Sequence, residues 1–399
     1  MNIPQCRFCR SASGEIVLDL GRQPACDHFP PVNHPSPDPV YPLRLWLCAS
    51  CGLAQLAEDG TTPEEPRGVE PAALIAQAQL AVQQVAEAGL LPPGASVAEY
   101  GSPHGGSWLD LLIGRGLRVA NAAERADVVV DCFGLMHARD QHAALAERAA
   151  RLTPGGTLLL QFHSLVSIVT GAQWNTVRHG HFAYYSTPAL CGMLDSFDLG
   201  AVTAWRYDLY GGTVLLAGRR AVQPDRMVRE VARAEVARGV SDFSRVRQLQ
   251  VDASNSADAI VAFLRDTRAA GARVLGYGAA SRAVVLLNRA GITSELLPGV
   301  VDASPAKHGR RIPGTGIPVL TPDSLLVERP DRVLLFVPDL LQEARQAWPE
   351  IERDGGHWVL LDPLPRLAPI ADQSGSCGEH ITSPAGAAGG AGRRTRGGN

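Results

Sequence analysis

The chain has 399 residues, 45% of them hydrophobic, with 41 glycines and 29 prolines, which excludes a collagen, a coiled coil or a wholly disordered chain and leaves room for roughly two to three domains. Its 37 basic and 40 acidic residues leave a net charge of −3, so the basic excess of a general nucleic-acid binder is absent. No stretch reaches the ~18 apolar residues of a membrane span and the N-terminus lacks a signal-peptide pattern, so a cytoplasmic protein with no membrane or nucleic-acid partner is expected.

Residues 1–60 are rich in Pro and Cys, with short strands expected at 16–20 and 43–47. Cys6-Arg7-Phe8-Cys9 and Cys48-Ala49-Ser50-Cys51 are two C-x-x-C knuckles. Two such turns complete a tetrahedral four-cysteine site, which leaves no open position for catalysis. The segment has little apolar core, so a bound Zn2+ would supply folding energy. A redox pair would normally open a helix in a thioredoxin-like unit, and no such pattern follows. Cys6, Cys9, Cys48 and Cys51 are therefore the expected structural zinc ligands. Cys26, Cys132, Cys191 and Cys377 are scattered, and Cys132 and Cys191 read as ordinary buried residues.

Residues 61–91 read as a linker and a helix over 71–88, closed by Gly89, with Leu74, Ala78, Ala81, Val82 and Val85 on one face. Residues 92–220 alternate strand and helix. Strands are expected at 96–100, 127–133, 157–162 and 213–217, and helices at 107–113, 143–151 and 187–197. Such alternation predicts a mainly parallel sheet covered by helices. Residues 224–270 form helices broken near Gly239. A second α/β block completes a domain over 221–366, with strands at 273–276, 297–301, 332–337 and 357–361 and a helix over 282–289. Residues 367–399 are Gly/Ala/Ser-rich and read as a disordered tail.

Strand 96–100 leads into Glu99-Tyr100-Gly101-Ser102-Pro103-His104-Gly105. This Glu-x-Gly-x-x-x-Gly turn looks like the first motif of S-adenosylmethionine-dependent methyltransferases, although a lone glycine turn is a weak signal. Following a four-cysteine module, it resembles the nucleotide-sugar C-methyltransferases of deoxysugar and antibiotic biosynthesis. Further segments fit that family in order. They are Leu18 to Pro24, Gly134-Leu135-Met136-His137, Pro154-Gly155-Gly156, Arg178-His179-Gly180-His181-Phe182, Tyr210-Gly211-Gly212-Thr213, Gly276-Tyr277-Gly278-Ala279-Ala280-Ser281-Arg282, Asp302 to Lys307, and Pro313 to Val319. The resemblance covers about residues 5–365.

The resemblance implies an α/β fold: a small zinc module, a shortened Rossmann-like class I methyltransferase domain and a second Rossmann-like domain. It implies methylation beside the ketone of a nucleotide-linked 4-keto-6-deoxyhexose. A base forms an enolate, hydrogen-bond donors stabilise it, and its carbon attacks the sulfonium methyl group. His181 falls at the family's base position and His137 at its second histidine. Glu99, Gly101 and Gly105 would hold S-adenosylmethionine. Tyr210, Gly276, Tyr277, Gly278 and Arg282 would hold the nucleotide-linked sugar, the Gly loop cradling its diphosphate at a helix start. His104, His163 and His179 match no motif. Asp302 and Lys307 equally suit a surface ion pair.

The departures cluster around the base and the methyl donor. The family's acid before the base is Gly180, and the histidine of its His-Gly-Gly is Tyr210. The segment before the first helix, residues 64–71, lacks the family's tyrosines. Only residues 117–126 separate the first helix from the next long strand. That is too short for the strand, helix and strand that bind adenosine, since one crossover takes ~10–12 residues. The adenosine half-site is not expected to survive, and Glu124 would be at best a substitute for the family's ribose acid.

Three readings follow. The chain is a methyltransferase that still uses S-adenosylmethionine; or it enolises a nucleotide-linked ketosugar without it, as an epimerase, isomerase or lyase; or it is a non-catalytic partner protein.

Overall fold

Alternating side chains shape the first sheet. Strands Gly14–Pro24, Val40–Cys48 and Ala54–Leu56 pair antiparallel, and successive residues of a strand face opposite sides. Leu43, Leu45 and Leu47 pack into one core with Trp174, Leu249 and Leu287 of the later helices. Trp46 and Cys48, at the alternate positions, pack into another core with Val128 and Leu158 of the middle sheet. The zinc module is thus wedged between both α/β parts. Its fourth strand, Ala183–Tyr184, comes from far along the chain and pairs with Ala54 and Gln55.

The structure, a computed structural model, describes residues 4–61, 69–103 and 105–369. The expectations on residues 64–68, His104, Cys377 and the tail beyond residue 369 lie outside them. Up to Ala368 the chain packs as one unit, and among the described residues no helix is long and apolar enough to cross a membrane.

The helix Ala72–Glu87 buries Ala78, Ala81, Val82 and Val85, the face expected from their spacing. The second sheet runs 118–119, 96–100, 126–132, 152–163, 213–220, 199–207. Its first four strands are parallel and the last two antiparallel. The strand Leu199–Tyr207 is an addition to the sequence reading. At the opposite edge the sheet ends on the exposed two-residue strand Arg118–Val119. The short segment 117–126 thus supplies one strand stub and a turn.

Residues 224–270 become helices Arg226–Ala237, Phe243–Val246 and Gln248–Ala269. The third sheet runs 319–320, 300–301, 274–277, 332–335, 357–361, 365–367, parallel except for its last strand. The strand expected over 297–301 shrinks to Val300–Val301, because Pro298 has no N–H to give a ladder. In this strand order the crevice lies where neighbouring strands 274–277 and 332–335 send their connections to opposite sides, the usual ligand position in open α/β sheets.

Candidate functional site: a zinc cluster and a cleft between two sheets

The four sulfurs of Cys6, Cys9, Cys48 and Cys51 lie within 4.8 Å of one another. Contacts of 3.5 Å for Cys6–Cys51 and 3.6 Å for Cys9–Cys48 are close to the ~3.8 Å edge of a tetrahedron with Zn–S bonds of ~2.3 Å. Both knuckles close alike. Cys6 O accepts from Arg10 N at 3.1 Å, Cys48 O accepts from Gly52 N at 3.1 Å, and Arg10 and Gly52 both take positive φ. Donor set and geometry fit zinc, and four thiolates leave no coordination position for substrate.

The carboxyl ends of the second and third sheets face one another across a cavity of about 320 Å³, a size usual for small-molecule sites. Gly105, His137 and His163 line it from the second sheet; Gly278, Asp302 and Val337 line it from the third.

His137 ends a single turn, Leu135–His137, that follows strand Ala126–Cys132. Asp131 holds that turn. Its Oδ1 accepts from Gly134 N and Leu135 N at 2.8 Å each, and its Oδ2 pairs with Arg148 at 2.5 Å. Burial raises the Asp131 carboxyl pKa against the pull of Arg148. His137 Nδ1 lies 2.9 Å from Gly180 O. A carbonyl only accepts, so Nδ1 carries the proton and Nε2 is the basic nitrogen of the neutral ring.

His181 is positioned by the zinc module. Gly180 N donates to Asp59 Oδ2 at 2.8 Å, and Phe182 N donates to Met136 O at 2.7 Å. The Phe182 ring has Arg7 of the first knuckle and Arg139 stacked on it at 4.9 and 4.5 Å. His181 meets His137 edge to face, ring centres 4.7 Å apart, and both line the cavity. Residue 180 offers no carboxylate, but Asp27 Oδ2 lies 3.5 Å from where a Cβ on Gly180 would sit. An acid at 180 would therefore sit beside a second carboxylate.

At the far end, Tyr277, Gly278 and Arg282 line the cavity. Gly276 does not. It lies in the strand Val274–Tyr277, and a Cβ there would come within 2.6 Å of Phe336 and 2.9 Å of Val300, so it is a packing glycine. Asp302 and Lys307 are a buried pair rather than a surface one. Lys307, 4% exposed, donates from Nζ to Ala279 O at 3.0 Å, and Asp302 Oδ2 accepts from Ala279 N at 2.8 Å. Both brace the Gly278 loop.

Tyr210 also lines the cavity. Its carbonyl accepts from Arg282 Nη2 at 3.1 Å, and burial pushes its phenol up to about 12, so it stays a neutral donor. The turn after it needs glycine. Gly212 has φ +127°, and a Cβ there would lie 2.3 Å from Ser167 Oγ. Gly212→Ala should lower stability by about 1–3 kcal/mol, read by urea unfolding. Unchanged stability would mean the turn is not held as described.

The expected methyl-donor residues fit poorly. Glu99 is spent on the following turn, accepting from Ser107 Oγ and Trp108 N at 2.6 Å each. Glu99 and Gly101 are not among the lining residues; Gly105 alone of the three is. Among the described residues, none between Gly105 and Phe133 lines the cavity, and this is the stretch that would grip adenosine. Glu124 pairs with Arg118 on the sheet edge. The residues present do not fit S-adenosylmethionine.

Sequence reasoning passed over two groups here. His163, which matches no motif, lines the cavity; its place at the end of the Leu152–His163 strand was the one signal it gave. Arg178, 8% exposed, also lines it and donates from Nη1 to Asp27 Oδ1 and Ser281 Oγ, both at 2.9 Å. No local pattern announces that bond, because its partners are 151 and 103 residues away. His179 is buried among Tyr41 and Pro42, its Nε2 3.1 Å from Pro42 O.

Residues 208–365 match the family model of the C-methyltransferase C-terminal domain, and residues 6–65 match that of a zinc-binding domain. The C-methyltransferase NovU of Streptomyces niveus is 27% identical over 239 residues. That match spans 59% of this chain and little more than half, 56%, of the relative's length. Solved structures are far more distant. The 1,6-didemethyltoxoflavin-N1-methyltransferase of Burkholderia thailandensis is 14% identical, over 43% of this chain and 96% of that one, with a TM-score of 0.29. Magnesium protoporphyrin IX methyltransferase of Synechocystis PCC 6803 is 10% identical, over 37% and 83%, with a TM-score of 0.29. At such TM-scores neither bears on the ligand or chemistry of this chain. The chain thus pairs a segment similar to a C-methyltransferase C-terminal domain with a matched, geometrically sound four-cysteine zinc-binding module at its other end.

Proposed function

We propose that the chain binds a nucleotide-linked keto-deoxysugar in the cleft and enolises it beside the ketone, without S-adenosylmethionine. The observation that carries this reading is one cavity with His137, His163 and His181 at one end and Gly278, Arg282 and Lys307 at the other. The diphosphate would rest on the Gly278 loop and the start of helix Ser281–Arg289, where backbone N–H groups and the helix dipole favour an anion. Arg282 adds a guanidinium there. The sugar would reach the histidines. His181 takes the α-proton, and His137 supports it through Nε2, the nitrogen that its bond to Gly180 O makes the basic one. Tyr210, a neutral phenol, donates to the enolate oxygen. A positioned base contributes about 10²–10⁴-fold and one oxyanion donor about 10²–10³-fold.

The test is solvent deuterium exchange on thymidine-diphosphate-linked 4-keto-6-deoxyglucose, followed by NMR. The zinc-replete protein should wash deuterium into the carbon beside the ketone. His181→Ala should lower that rate about 10²–10⁴-fold while keeping its fold by circular dichroism. No exchange above the solvent background overturns the reading. The match of residues 208–365 to a C-methyltransferase C-terminal domain favours a second reading, methyl transfer from S-adenosylmethionine. Micromolar calorimetric binding of that cofactor, with a methylated sugar as product, would establish it instead; no heat up to millimolar concentration is the expected result.

A further inference from the structure

Enolisation without a methyl donor leaves an enolate that must be reprotonated, and this inference rests on that reading. We propose that His163 delivers that proton to the opposite face of the carbon, so that the reaction inverts the stereocentre and the chain acts as a two-base epimerase. His163 ends the strand Leu152–His163, whereas His181 lies in the loop that the zinc module anchors. The two imidazoles are thus carried by separate elements. Their rings lie within 23° of parallel with centres 6.3 Å apart. Both rings line the same cavity and reach it from separate elements, as two bases serving one carbon must. His137, in edge-to-face contact with His181 at 4.7 Å, is placed as its supporting partner.

His163 is fixed as a catalytic group needs to be. It stacks on Phe133 at 4.9 Å and meets Tyr210 at 5.7 Å, both lining the same cavity. The three imidazoles do not gather as metal ligands; among the described residues only the four cysteines bring three or more donor atoms together. The balance is simple. His181 takes the proton as the C–H pair becomes the enolate, and Tyr210 donates a hydrogen bond to the enolate oxygen. The N–H proton of protonated His163 then passes to the carbon as the C=O re-forms. His181 returns its proton to solvent, and His163 regains one from it. No oxidant, reductant or co-substrate is consumed.

The experiment uses the full zinc-replete chain and the same thymidine-diphosphate-linked 4-keto-6-deoxyglucose in D2O, scoring exchange and inversion separately by NMR. Wild type should do both, the inverted product carrying deuterium at the exchanged carbon. In His163→Gln the ratio of inversion to exchange should fall at least 100-fold. Wild-type exchange with full retention overturns this inference and leaves the enolisation reading standing, whatever the variant does. Inversion at the wild-type rate in His163→Gln also overturns it. No exchange in wild type overturns both.

Discussion

Cys48→Ser should abolish stoichiometric zinc and collapse more than the N-terminal module. Metal analysis of the purified wild type should give about one zinc per chain, as a single four-cysteine site requires, and the variant far less. Structural zinc binds small modules with about 10–16 kcal/mol of apparent free energy. A whole domain is stable by only about 5–15 kcal/mol, so losing the metal is comparable to losing the fold of this segment. The damage would travel along named contacts. Cys48 ends the strand Val40–Cys48, whose residues pair with Ala54–Leu56, and those pair with Ala183–Tyr184, two residues past His181. Arg7, between the first two ligands, stacks on Phe182. The variant should therefore lose deuterium exchange as well as thermal stability. Cys191→Ser, remote from the cluster in sequence and half-buried, should keep its zinc. Full zinc occupancy in Cys48→Ser, or an unchanged melting temperature, would remove the cluster from its structural role.

The cluster was legible because a metal site is written locally: two C-x-x-C turns suffice. The parallel order of both larger sheets was legible for a similar reason, since strand and helix alternate with clear periodicity around segments such as residues 126–132 and 332–335. The short span 117–126 foretold the stub at Arg118–Val119, because chain length alone limits what can form there. What stayed hidden depends on distant parts of the chain meeting. Ala183–Tyr184 is too short to read as a strand and becomes one only against Ala54 and Gln55. The sequence suggested a surface pair at Asp302 and Lys307 because the only lysine of the chain carries no sign that Phe29 will cover it, 5.2 Å from its ring. Gly276 looked like a cradle and is a packing site, since the bulk of Phe336 cannot be seen from position 276. His163 had no motif, and only the convergence of strand ends marks it.

Asp27→Ala should be the most damaging single change away from the metal. Asp27 lies after the first strand of the zinc module, Arg178 in the loop of His181, and Ser281 at the first turn of the helix behind the Gly278 loop. Their bonds of 2.9 Å tie the three parts at one point. The Arg178 and Asp27 side chains are only 10% and 7% exposed. Removing the carboxylate leaves a guanidinium in a low-dielectric corner, and breaking a buried pair in this way costs about 3–5 kcal/mol. Replacing both by apolar groups of similar size, Asp27→Leu with Arg178→Met, should cost less than Asp27→Ala alone, because no buried charge remains. Glu230→Ala breaks the exposed Arg226–Glu230 pair and should change nothing measurable, since such pairs are screened by solvent. Urea unfolding of wild type and the three variants separates these cases. Because Arg178 also lines the cavity, Asp27→Ala should weaken binding of the nucleotide-linked ketosugar under conditions where it remains folded. A double variant as unstable as Asp27→Ala would show that the three-way bond, rather than the stranded charge, sets the cost. Unchanged stability in Asp27→Ala would show that this junction does not hold the parts together.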